Sequence, residues 1–327
     1  MVLNAHPVLD RVRRTTTWET SEGLTTLAFQ AMGTRCAVKF AAPLHDVRIL
    51  GEHIANWTAE FEMRYSRYQP DSLVSRINAN AGVVWTEIDT ETERLFALCD
   101  QLVFFTRRAF DPTALPLSRL WDWKAHDQRI PTDAEVGRAR SLVGWRKVER
   151  RNGEVRLPVA GMEMDLGGIG KEYAVDCVAQ MIAEASIPGA IVDFGQDVRV
   201  VGLPPGKPFW HIGLEDPLKP GSCWCGVAVK DAAVASSGDY QRSRMSGTRR
   251  IGHIIDPRTG YPVDNGCRAV SVIAPSCTLA GILSTTAFVL GPGDGLPLIQ
   301  SQPGAAGVIS TDKARVHTRN FHEFCVT

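Results

Sequence analysis

From about residue 185 onward the apolar residues stop recurring at helical spacing and gather in short runs cut by Gly and Pro, and this switch limits the fold more than any other feature. The runs are Ala190–Phe194, Val198–Val201, His211–Leu214, Cys225–Val229 and Val270–Ala274, with an early one at Cys36–Phe40. Before the switch the stripes are helical. Leu50, Ile54, Trp57, Phe61 and Tyr65 recur at spacings of three and four, and Leu95, Leu98, Leu102 and Phe105 follow Thr90 and Glu93, which read as a capping box. A third helix is expected from near Gly170, turning Ala174, Val178 and Met181 inward. A fourth is expected over about 278–290, with Leu279, Leu283 and Leu290 on one side. Strands that cluster instead of alternating with helices predict an α+β fold, an antiparallel sheet covered on one side, over a doubly wound parallel sheet. The 327 residues show no repeat and no long polar linker, so one composite domain is expected.

Charge narrows the partners. Lys+Arg and Asp+Glu both total 36, so no global field favours nucleic acid or an anionic membrane, and an anion must be held by a local site. The first 30 residues show no apolar leader core with a small-residue cleavage site, and no 18-residue apolar stretch is read later. A cytoplasmic protein with no membrane segment is therefore expected. The eight cysteines make no C-x-x-C pair, which predicts reduced thiols, mostly buried; Cys223 and Cys225 are the close pair.

Two segments carry chemistry. Met164-Asp165-Leu166-Gly167-Gly168-Ile169-Gly170-Lys171 sets three glycines and a lysine before a helix, where backbone N–H groups and a cation can cradle phosphate. It departs from a Walker loop: Asp165 replaces a required Gly, and Glu172 stands where a Ser or Thr would hold magnesium. A plain strand-to-helix turn fits it equally. In Gly252-His253-Ile254-Ile255-Asp256-Pro257-Arg258-Thr259-Gly260, His253 is either a structural histidine or an acid–base group near neutral pH. Upstream, Ser236-Ser237-Gly238-Asp239-Tyr240 is a loop of small donors, and four arginines between 242 and 250 read as a solvated hairpin.

The order of these motifs resembles the ApbE family: Ala31-Met32-Gly33-Thr34; Tyr65-Ser66-Arg67-Tyr68 through Asp71-Ser72, with Asn78; Phe110-Asp111-Pro112-Thr113; Asp165 to Lys171 with Asp176; Ser237-Gly238-Asp239-Tyr240; His253-Ile254-Ile255-Asp256-Pro257 with Thr259-Gly260; and the late helix ending Ala287-Phe288-Val289-Leu290-Gly291. The resemblance covers roughly residues 28–295. It implies a T-fold-like α+β domain over 28–327 behind an N-terminal extension, 1–27. It also implies FAD in an extended cleft, a divalent metal (usually magnesium), and transfer of the FMN half of FAD to a Thr or Ser of a target protein with release of AMP. By motif position, Met32 and Tyr68 would lie along the flavin, Lys171 and Ser237 near the nucleotide, and Asp111, Gly238 and Thr259 in the same FAD site. His253 would be the base, with Asp256 orienting it or a metal water.

The departures bear on the metal. The family's ligands, a backbone carbonyl in the glycine-lysine motif and an Asp and Thr four apart on the late helix, fall here on Gly170, Gly281 and Thr285. The carboxylate is missing at Gly281, which is expected on an exposed cleft face, and Glu172 is the acid that could replace it. Asp193, Gln196 and Asp197 also stand where the family shows Asn, Gly and Asn. Two alternatives therefore accompany transfer: an FAD-binding protein with little turnover, and an FAD pyrophosphatase giving FMN and AMP.

Overall fold

In the computed structural model, which describes residues 6–124, 129–240, 242–246 and 249–326, four of the expected runs join one antiparallel sheet, while those at 211–214 and 225–229 pair apart from it as a two-stranded ribbon. The chain opens with α1 (Pro7–Thr15), β1 (Thr17–Ser21), β2 (Leu24–Ala31) and β3 (Thr34–Phe40). A largely helical stretch follows: α2 (Leu44–Tyr65), α3 (Leu73–Ala79), β4 (Thr86–Glu87), α4 (Thr90–Phe105), α5 (Leu115–Leu120), α6 (Asp133–Ser141), β5 (Glu149–Arg151), β6 (Glu154–Arg156) and α7 (Gly170–Glu184). Then come β7 (Gly189–Phe194), β8 (Asp197–Gly202), β9 (Trp210–Glu215), β10 (Cys223–Val229), β11 (Ala233–Gly238), β12 (Ser243–Ser246), β13 (Arg249–Gly252), β14 (Ile255–Asp256), β15 (Tyr261–Pro262), β16 (Cys267–Ala274), α8 (Cys277–Gln300), β17 (Ala306–Thr311) and β18 (Arg315–His317).

The main sheet runs β1-β2-β3-β7-β8-β11-β16-β17-β18. Because side chains alternate across a strand, its two faces feed two cores. Phe29, Val38, Val192, Ala235 and Val272 join the helices in the larger core. Val200, Val234, Ile273 and Val308 point the other way, onto Trp210, Leu214, Val227 and Val229 of the β9–β10 ribbon. The sheet is thus covered on part of its second face too, a correction to the one-sided expectation. Within the 1–27 extension, Val8, Leu9 and Val12 of α1 enter the larger core, and β1 edges the sheet against β2.

Two local expectations change. The cap of α4 is Asp89, whose carboxylate accepts from Thr92 N at 3.0 Å, while Glu93 accepts from Gly153 N at 2.9 Å; no Thr90–Glu93 box forms. An apolar stretch of membrane-spanning length does exist, α8, by length and hydropathy alone. It is a core helix: Cys277, Ala280, Leu283, Ala287 and Phe288 are buried against the sheet. Its helical geometry breaks at Gly291 (φ 78°, ψ 175°), before Pro292, so the continuous helix ends where expected.

Candidate active site

Hydrogen bonds between motifs far apart in sequence draw them into one rim. Asn78 clamps the backbone of Met164, accepting from its N–H at 2.7 Å and donating to its carbonyl at 2.9 Å. The Arg67 guanidinium donates to Asp165 at 2.8 Å and lies 4.1 Å from the centre of the exposed Tyr68 ring. Asp165 N donates to the Pro112 carbonyl at 2.8 Å, and a Cβ at Gly168 would stand 3.0 Å from the Phe110 ring. The loop after α2, the Phe110–Thr113 turn and the glycine-lysine segment therefore fold as one unit. At the β2–β3 turn, Met32 and Gly33 take φ of 50° and 70°, the geometry of a two-residue hairpin whose strands keep their twist. Glu62, absent from the sequence assignments, fixes that turn: its Oε2 accepts from Met32 N at 2.6 Å and from Arg11 at 2.5 Å. The signal was an acid four residues after Thr58, on the buried flank of α2.

Asp111 does not present itself to a ligand. It is buried; Oδ1 accepts from Thr113 N at 2.9 Å and Oδ2 from Trp145 N at 2.9 Å, so both oxygens build the turn. Lys171, at the start of α7, is ion-paired with the nearly buried Asp197. A phosphate placed at Lys171 would have to compete with that carboxylate for the ammonium.

At the other end, α7 meets α8 and β11. Asp176 receives Cys277 N and Thr278 N at 2.8 Å each and pairs with Arg199, pinning the start of α8 to α7. Two turns on, the Ser237 hydroxyl lies 2.8 Å from both the Ser284 and Thr285 hydroxyls, and Ser284 donates to the Gly281 carbonyl at 2.9 Å. Gly281 is buried, contrary to the exposed face expected. A Cβ there would stand 2.6 Å from Glu172 Cγ. Glu172 Oε2 is shut from solvent without a hydrogen-bond partner, and burial pushes its carboxyl upward in pKa. An orphaned carboxylate oxygen beside hydroxyl and carbonyl oxygens is the hard donor set that suits a cation such as Mg²⁺. Gly170 opens α7, where a carbonyl already accepts an intrahelical bond and keeps one lone pair to offer.

His253 follows β13, which packs beside the end of β11. A Cβ on Gly252 would lie 3.1 Å from Asp239 Cβ, and Arg250 donates to the Asp239 carbonyl at 2.8 Å, which docks the histidine's strand on the end of β11; Ser236, Ser237 and Gly238 lie in that strand, paired with β16, where a loop was expected. Gly238 is required there: a Cβ would stand 2.8 Å from the Tyr240 ring and 2.9 Å from the Arg268 carbonyl. The structure does not join His253 to Asp256. That carboxylate is held by Arg258, Nε at 2.9 Å and Nη2 at 2.8 Å, and shapes the turn carrying the exposed Thr259. The orienting group is instead the Arg242 carbonyl, 3.2 Å from His253 Nδ1. A carbonyl only accepts, so Nδ1 carries the proton and Nε2 keeps its lone pair. Burial, reinforced by the Arg242 charge, lowers the imidazole pKa to about 4, so it is neutral at pH 7.

The ApbE family model matches residues 32–309, across every motif just described. The chain belongs to the ApbE family. Similar to it are the FAD:protein FMN transferase of Treponema pallidum, 30% identical and spanning 87% of this chain and 84% of the relative, and that of Vibrio cholerae, 28% identical over 88% and 87%. Among solved structures, the ApbE protein of Thermotoga maritima superposes with a TM-score of 0.84 at 31% identity, covering 93% of this chain and all of that one. The flavin transferase ApbE of Vibrio cholerae gives 0.81 at 28% identity, covering 94% of this chain and all of its own. For this ApbE-family chain, the α+β architecture with an antiparallel sheet and packed helices agrees with its sequence.

Proposed function

We propose that the chain transfers the FMN half of FAD to a Thr or Ser hydroxyl of a target protein and releases AMP. The observation that carries this reading is the neutral His253, with Nε2 left as a lone-pair nitrogen, just after a strand whose Arg250 docks on Asp239, two residues past the Ser237 hydroxyl that joins those of Ser284 and Thr285. The relatives named FAD:protein FMN transferase support the same chemistry. In the step, the acceptor oxygen forms a bond to the phosphorus of the FMN half. The P–O bond to the AMP half breaks, and the bridging oxygen leaves with AMP and the electron pair. His253 Nε2 takes the hydroxyl proton, a contribution worth about 10²–10⁴ in rate for a positioned base. Lys171 and Ser237 hold the diphosphate, while Met32 and Tyr68 lie along the isoalloxazine. A Mg²⁺ ion, held by Thr285 and the Gly170 carbonyl with the diphosphate, would supply positive charge to the phosphoryl oxygens.

The test is incubation of pure protein with FAD and Mg²⁺, with and without a Thr-bearing target domain, reading AMP and protein-bound flavin. Transfer gives both products only with the target. AMP and free FMN without it indicate a pyrophosphatase, and neither product indicates a binding protein; either outcome overturns the proposal.

A further inference from the structure

We propose that Glu172 is the anionic ligand of a divalent-cation site between α7 and α8, and that Gly281 is a glycine because Glu172 occupies the space its side chain would take. The inference deepens the proposed function in one respect: it takes the FAD diphosphate as the partner that completes the coordination.

Three observations meet at this point. Glu172 Oε2 is closed off from water and has no hydrogen-bond donor, a condition that is costly for a carboxylate unless a proton or a cation relieves it. The other acids of α7 have partners: Asp176 holds Arg199 and the first N–H groups of α8, and Glu184 accepts from Gln180 at 2.9 Å. Lys171, the adjacent cation, is paired with Asp197. Glu172 is therefore the acid of this helix with an oxygen left to give.

The second observation is steric. A Cβ built at position 281 meets Glu172 Cγ at 2.6 Å and Cδ and Oε1 at 3.1 Å each, closer than side-chain atoms pack. The two positions share one volume, so an acid can be carried by α7 or by α8 but not by both. The third is the oxygen-rich surrounding: the hydroxyls of Ser237, Ser284 and Thr285 form one network, tied to the Gly281 carbonyl through Ser284. One carboxylate, a hydroxyl, a carbonyl and phosphate oxygens are the ligands that Mg²⁺ and Mn²⁺ favour over nitrogen or sulfur.

The experiment is an electron paramagnetic resonance titration with MnCl₂ of the full-length wild type, Glu172→Gln, Gly281→Asp and Glu172→Gly/Gly281→Asp. It is run without nucleotide and with ADP, whose diphosphate stands in for that of FAD, and thermal melts run beside it. Glu172→Gln is expected to keep the wild-type melt and to lose at least tenfold in Mn²⁺ affinity. Gly281→Asp alone should melt lower, because it forces a second side chain into filled space. The double variant should regain the melt and bring Mn²⁺ affinity to within a few-fold of wild type. A folded Glu172→Gln protein that binds Mn²⁺ like wild type overturns the proposal, as does a wild type that binds none in either condition. If the double variant does not fold, Glu172→Gln decides alone. A wild type that binds Mn²⁺ through Glu172 yet releases no AMP from FAD leaves the metal site standing and removes the transfer reading instead.

Discussion

Replacing Asp197 with Asn should tighten FAD binding and weaken the fold. Asp197 is 6% exposed and Lys171 25%, and the two are paired at the start of α7. A diphosphate reaching the same ammonium from the cleft side would stand on the order of 6 Å from the carboxylate, where two unit charges repel by about 3 kcal/mol at an effective dielectric of 20. Solvent and salt reach the lysine, so about 1–2 kcal/mol is a fair net figure, equivalent to roughly 5–30-fold in Kd. The same change removes a charged hydrogen bond and should cost about 1–3 kcal/mol of stability. Calorimetric titration with FAD at low and high salt reads the first effect, which should shrink with salt, and a urea melt reads the second. Combining Lys171→Met with Asp197→Asn should abolish the gain. Unchanged or weaker FAD binding by a folded Asp197→Asn protein would mean that the Lys171 ammonium does not face the diphosphate, and the placement of the nucleotide here would be wrong.

His253→Ala should lower AMP release by about 10²–10⁴-fold with FAD affinity near wild type, and undiminished release would return the residue to a structural role. With a folded pKa near 4, against 6.5 unfolded, His253 stays neutral in the native protein, so its share of the rate profile should be flat from pH 8 to about 5 and fall through pH 4. In that window the unfolded chain takes the proton first, so this group makes stability drop as pH falls from about 6.5 towards 4; pH-dependent melts of wild type and His253→Gln check the sign. Asp111→Ala removes the acceptor for the Thr113 and Trp145 N–H groups and should cost about 2–4 kcal/mol in a urea melt, with no loss confined to FAD affinity. FAD should bind more tightly than FMN in calorimetry, since Lys171 and Ser237 would hold the half that FMN lacks; equal affinities would unseat that assignment.

The elements legible in the sequence were those whose cause is local. The stripe from Leu50 to Tyr65 lies within α2, and the run at Ala190–Phe194 lies within β7, because periodicity reports which face is buried. The cap of α4 moved by one residue because Asp89 and Thr90 are both good caps, and the turn geometry that chooses between them is not a property of spacing. The candidate site residues read as motifs, but their partners do not. Asp256 reads as a partner for His253 by proximity along the chain, yet Arg258, two residues on, closes a tighter fork around it. Glu172 and Gly281 are two halves of one packing event on different helices, and a glycine in a helix gives no hint of which side chain needs its space.

The strand order carries a consequence for the growing chain. β3 pairs with β7, so Phe40 and Ala190 are neighbours in the sheet, although the whole run from α2 to α7 is synthesised between them. Closing a loop of roughly 150 residues costs about 2–3 kcal/mol more than closing one of ten, and that pairing must wait until β7 has been made. Until then the β1–β3 meander has an open edge at β3, along which backbone groups could pair with another chain. Nascent protein is therefore most exposed to wrong partners in the interval when the helices that carry Glu62 and Lys171 are emerging, and Glu172 and Gly281 can meet only after the late helix α8 has followed.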